Sequence, residues 1–148
     1  DEADVVFISS NAQLLATPAA KIRPQGRTAG GVAGIKLTDN ATVIEAAFVD
    51  MQNAEVATVA AADDGMLYPT QTSSKVTRGD VFPSKGRATQ GVRCHRFLKG
   101  EDVLTLARVC PDRALASSST GEPIDLPEAD DRRDGSGAPI KQEIAALA

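Results

Sequence analysis

Residues 26–50 and 86–110 repeat one another without a gap, and this constrains the chain more than any other feature. Laying Gly26 on Gly86 brings Arg27/Arg87, Gly31/Gly91, Val32/Val92, Val43/Val103, Ala47/Ala107 and Val49/Val109 into coincidence. With the glycine pair that makes seven identities over 25 positions. An ungapped match with the apolar pattern kept between identities marks a repeated structural unit, which buries its apolar face only by stacking on its neighbours.

Upstream, VVFISSNAQLLATP (5–18) has the shape strand, turn, strand, with β-branched and apolar residues flanking the polar pair Ser10-Asn11. Ala54–Thr70 repeats the shape about Asp64-Gly65, and RALASSSTGEPIDLP (113–127) repeats it near Thr120-Gly121. The second half of each full unit reads as another hairpin. GVAGIKL and TVIEAAFV turn at Asp39-Asn40, and GVRCHRFL and DVLTLARV turn at Lys99-Gly100. No segment carries a convincing helical period, and QEIAALA (142–148) is either a last strand or a short helical turn. The expected fold is all-β, in blades of four antiparallel strands, with two full repeats and one partial. The blades cover 1–50 and 51–110, and the partial blade 111–148. In the third unit Gly135 aligns with the first glycine and Ser136 replaces the arginine; Arg132 and Arg133 stand nearby as substitutes, offset by Asp130, Asp131 and Asp134.

One domain of 148 residues, 42% hydrophobic, suffices for a packed core. Only 3% is aromatic and most of the rest is Ala and Val, so thin aliphatic layers are expected. No apolar run approaches the roughly 20 residues that span a membrane. Cys94 and Cys110 make no disulfide framework, so free thiols and a cytoplasmic setting are expected. The chain shows neither an initiator Met nor a signal-peptide pattern, and we expect it to be a piece of a longer one.

The net charge of −4 conceals segregation. Residues 21–36 carry four bases (Lys21, Arg23, Arg27, Lys36) and no acid. Residues 75–99 carry seven (Lys75, Arg78, Lys85, Arg87, Arg93, Arg96, Lys99) against Asp80. Separated charge makes a local field that the net value hides. Both zones fall on the same element of the repeat, GRxxxGV. Its glycines shape a loop re-entering the sheet, but this does not account for an arginine after the first glycine in both copies. An exposed arginine on a loop rich in backbone N–H groups suits phosphate, through its planar fork and local dipoles. Strand alternation over 92–98 puts Val92, Cys94, Arg96 and Leu98 on one face and Arg93, His95 and Phe97 on the other, and favours Arg93 over Arg96 as a contact.

The module VVFISSNAQLLATPAAKIRPQGRTAGGVAGIKL resembles a blade of the C-terminal β-pinwheel of the A subunit of bacterial type IIA topoisomerases, DNA gyrase or topoisomerase IV. GMLYPTQTSSKV and KGRATQGVRCHRFLKGEDVLTLA resemble the next blade. The resemblance implies a cytoplasmic, nucleoid-associated domain that binds and bends or wraps duplex DNA on a basic rim. It implies as partners the catalytic core of the parent enzyme and its ATPase subunit, with no cofactor and no membrane. The expected DNA contacts are Lys21, Arg23, Arg27, Lys36, Lys75, Arg78, Lys85, Arg87, Arg93 and His95. The family's Gln- and Gly-rich basic box is only partly present: QGRTAGG (25–31) keeps Gln25, Arg27 and Gly31 but has Thr28 and Ala29 for glycines and Gly30 for a basic residue. A blade without the box, or a topoisomerase IV-like domain that bends without chiral wrapping, fits this departure.

No catalysis is expected. Tyr68, the only tyrosine, reads as a strand residue packing its ring, since the family's nucleophile lies in another domain. Two cysteines and one histidine fall short of the four ligands of a structural zinc site. His95 is either a phosphate contact or a structural strand histidine. The acid-rich EADDRRD (128–134) reads as a salt-bridged loop rather than a calcium site. The alternative function is a protein-interaction scaffold that docks the catalytic core or another partner.

Overall fold

A computed structural model describes residues 3–19, 35, 37, 41–62, 72–84, 91–140 and 143–148. Eleven strands are formed among them. In the first unit these are β1 (Asp4–Ser9), β2 (Gln13–Pro18) and β3 (Val43–Val49). In the second they are β4 (Glu55–Ala61), β5 (Ser73–Arg78), β6 (Val92–Arg93) and β7 (Val103–Cys110). The third has β8 (Ala116–Ser117), β9 (Pro123–Ile124), β10 (Ala138–Pro139) and β11 (Ala146–Leu147). The named strands pair antiparallel throughout, so the all-β expectation holds.

The strands form three sheets in the orders β3-β1-β2-β6, β7-β4-β5-β10 and β11-β8-β9. The first two have the expected four strands, but not four contiguous ones. The fourth strand of each comes from the unit that follows. β6 lies on β2 with Gln13 opposite Arg93, and β10 lies on β5 with Ser73 opposite Pro139. GVRCHRFL and DVLTLARV therefore join different sheets rather than one hairpin, although the turn at Lys99-Gly100 is present. Asp64-Gly65, Asp39-Asn40 and Tyr68 lie outside the described residues.

Local chemistry accounts for the first hairpin. The turn falls at Ser10-Asn11 as expected, with Ala12 N–H donating to Ser9 O at 3.0 Å. Ala12 takes φ 66, a left-handed value uncommon for a residue that carries a Cβ, and is itself buried. Its carbonyl accepts from Cys94 N–H at 2.9 Å, so the turn also anchors the strand arriving from the second unit.

The first two sheets share one core of thin aliphatic layers, with Val6, Ile8, Leu14, Val56 and Leu104 at its centre and Phe82 as its one fully buried aromatic hydrocarbon. Alternation sends Ala57 and Val76 to the other side of the second sheet, against Ala114, and Val59 against Ala116, Ile140 and Ile144. β4 is consequently buried on both faces. One carboxylate fastens the first sheet to the second, and another fastens the second sheet to the segment leading into β8. Glu45 accepts from Val109 N–H at 3.1 Å and Glu55 from Ala114 N–H at 2.8 Å. Part of the negative charge thus serves as an internal strap.

Candidate nucleic-acid interface

Of the two basic zones, 21–36 lies almost wholly outside the described residues, and 75–99 is described except for 85–90. The segments before β6 and β10 each end at a glycine pressed against the edge of the preceding sheet. A Cβ on Gly91 would lie 2.3 Å from Leu14 O, and one on Gly137 would lie 2.6 Å from Ser74 O. Gly137 is therefore the third unit's counterpart of Gly91, and Arg132, rather than Gly135, stands at the position of the first glycine, which corrects the expected alignment by three residues. The strands that follow are the short β6 and β10.

Of the expected DNA contacts, Lys21, Arg23, Arg27, Lys36, Lys85 and Arg87 lie outside the described residues. Arg93 is exposed on β6, opposite Gln13. Arg78 is exposed but engaged by Asp80, from Nε at 3.1 Å and from the terminal nitrogen at 2.5 Å. Those hydrogen bonds hold it firmly charged.

Lys75 and His95 are placed in the interior, which corrects their assignment to the rim. His95 is 0% exposed, and its ring nitrogens are hydrogen-bonded to Thr58 Oγ1 at 2.8 Å and Ser73 Oγ at 3.1 Å. Neither nitrogen is left for a phosphate. Burial, with the charge of Lys75 as a lesser cause, pushes its pKa down to about 4, so the ring is neutral at pH 7. Lys75 is 2% exposed; its Nζ donates to Thr77 Oγ1 and, at 2.8 Å, to Arg132 O. Burial lowers its pKa while Asp130 raises it.

The alternation expected over 92–98 fails for the same reason. Cys94 and His95 are neighbours in sequence and both fully buried. After Arg93 the chain leaves the edge of β2, and Arg96 N–H bonds Gly135 O at 2.9 Å. The segment crosses between two sheets, so both sides of it are covered. The cysteines are free and buried in separate clusters. Burial pushes the Cys94 thiol up to about 12, and Cys110 donates from Sγ to Ala148 O at 3.0 Å.

Three successive sheets, the first two completed by a strand from the unit that follows, define the chain as a propeller-like repeat domain. A family model described as DNA gyrase C-terminal domain, beta-propeller, matches residues 3–50 and 74–110, more than half of the chain, and the chain belongs to that family.

A curated relative, topoisomerase subunit TopoM of Mycolicibacterium smegmatis, is 35% identical over 106 residues. That match takes in 71% of this chain and 14% of the relative, so the chain spans about a seventh of that protein's length. The C-terminal domain of DNA topoisomerase IV superposes with a TM-score of 0.70 at 18% identity, covering 98% of this chain and 46% of that one. The E. coli ParC C-terminal domain gives 0.71 at 16% identity, covering 100% and 60%. The DNA gyrase A C-terminal domain gives 0.63 at 18%, covering 93% and 43%. These three likenesses establish the shared fold.

Proposed function

We propose that this chain is a DNA-binding and DNA-bending or wrapping domain of a type IIA topoisomerase, without catalysis of its own. In this reading it holds duplex phosphates on a cationic rim beside the parent enzyme's catalytic core, and an ATPase subunit drives the assembly. What carries the reading is membership of the gyrase C-terminal family together with the arginine that the sequence repeats four residues ahead of Gly31 and Gly91. Arg93 adds an exposed base at the end of β6. The internal chemistry supports a non-catalytic role. Both nitrogens of His95 are engaged, and the Cys94 thiol stays protonated at neutral pH.

Binding through phosphates predicts a steep salt dependence with little sequence preference. Neutralising about four to six phosphates gives a log–log slope of roughly −4 to −5. Replacing Arg27 and Arg87 together by Ala flattens that slope by about two units. Anisotropy titrations over a range of salt concentrations check this, and a slope equal to wild type removes those arginines from the interface. The scaffold reading has one observation in its favour: among the described residues β3 is an edge strand, and it bears Phe48, 70% exposed. Capture of the catalytic core that survives high salt, with no duplex bound at low salt, selects it instead.

A further inference from the structure

The fold sets the register of the third loop independently of its sequence. In the second unit the loop departs at Ser84, bridged to Ala16 of β2, and ends at Gly91 against Leu14. In the third it departs at Asp130, bridged to Thr77 of β5 and donating to Val76 O at 2.8 Å, and ends at Gly137 against Ser74. The register is set where the segments end: Gly137 lies on Ser74 as Gly91 lies on Leu14, and Ala138 pairs with Ser74 as Val92 pairs with Leu14. Arg133 then stands four residues ahead of its contact glycine, as Arg87 stands ahead of Gly91 and Arg27 ahead of Gly31. The third unit keeps the repeated arginine; what it lacks is the first glycine, replaced by Arg132.

A specific set of bonds takes over from that glycine. Arg132 N–H donates to Asp130 Oδ1 at 2.9 Å, and Gly135 N–H donates to Arg132 O at 3.2 Å. The second bond closes a tight turn with Arg133 and Asp134 at its corner. Lys75 Nζ reaches the same Arg132 carbonyl from inside the fold. The repeat puts Lys75 where the first unit has Leu15, so the buried ammonium occurs under the loop that has no leading glycine. Asp130 and Asp134 are the loop carboxylates that act on Lys75. Arg133 is half-buried and enters no ion pair among the described residues.

Resting on the DNA-binding reading above, we propose that Arg133 is a third phosphate contact, so that the cationic track continues from the first two loops onto the third blade. Lys75 is the internal prop that holds this loop in its presenting shape.

The test is fluorescence anisotropy of the 148-residue chain on a duplex of roughly 40 base pairs, titrated with salt. R133A is compared with R113A, which removes an exposed arginine ahead of β8. R133Q repeats the measurement with the stem of the side chain kept. R133A and R133Q make the log–log slope shallower by about one unit, and R113A leaves it unchanged. A wild-type slope in both Arg133 variants overturns the proposal, as does equal flattening by R113A, which reports bulk charge alone. If the Arg27/Arg87 double variant flattens the slope while R133A does not, the third loop is excluded and DNA binding stands. A wild-type chain that binds no duplex at about 50 mM salt removes the function reading and this proposal with it.

Discussion

Gly91→Ala destabilises the fold by about 3 kcal/mol, whereas Gly121→Ala costs about 1 kcal/mol. Both glycines have left-handed backbones, φ 78 and φ 86, so an alanine at either carries the same conformational penalty. They differ in their surroundings. A Cβ at Gly121 meets nothing within 4 Å, while one at Gly91 lies 2.3 Å from Leu14 O and 2.9 Å from Leu15 N. Those are backbone atoms of β2 and cannot swing aside, so β6 must detach from the sheet it completes. Gly137→Ala isolates the second effect, since its Cβ would sit 2.6 Å from Ser74 O without any left-handed backbone. It is expected to fall between the other two. Urea unfolding midpoints measure all three. Equal losses at Gly91 and Gly121 would show that the exchanged strand contributes little.

The second large effect is acid sensitivity centred on His95. Its unfolded pKa is near 6.5 and its folded pKa is about 4. Between those values the unfolded chain binds a proton that the native chain refuses, so stability rises with pH across the window and is lost as pH falls through it. A difference of that size is worth about 3 kcal/mol between pH 7 and pH 4. The physical origin is a ring with no access to water, hydrogen-bonded to two hydroxyls and beside the Lys75 ammonium. His95→Gln keeps a polar group near Thr58 and Ser73 but has no charge to gain. It starts less stable at pH 7, by about 2 kcal/mol, and loses less on acidification. Chemical denaturation of both proteins at pH 7, 6, 5 and 4 gives the difference. Parallel curves would mean that water reaches the ring.

Much of the architecture was legible beforehand because it rests on short-range chemistry. The Ser10-Asn11 turn and the alternation flanking it require only residues 5–18. The family could be read from the ordered blade hairpin, arginine turn and Gly-Val strand. Illegible features depend on partners far along the chain. Lys75 looks like a surface base within TSSKVTR, and its burial is made tolerable by the carbonyl of Arg132, 57 residues away, together with Thr77 Oγ1. His95 looks like an exposed strand residue until Thr58 and Ser73 close on it. Arg133 stands in the sequence only as a nearby substitute because Gly135 resembles the leading glycine, whereas the contact of Gly137 with Ser74 identifies its position in the repeat.

By itself, the amino-acid order determined a β-repeat of three units, its first turn, its family and its segregated charge. All of these follow from period-two patterning and turn chemistry acting over a few residues. The tertiary structure alone decided which sheet each fourth strand joins, because the free edges of β2 and β5 accept whichever strand the next unit delivers. That exchange also divides the bases into those propping the loops from within and those facing outward, since a lysine or histidine is buried only where distant partners satisfy it.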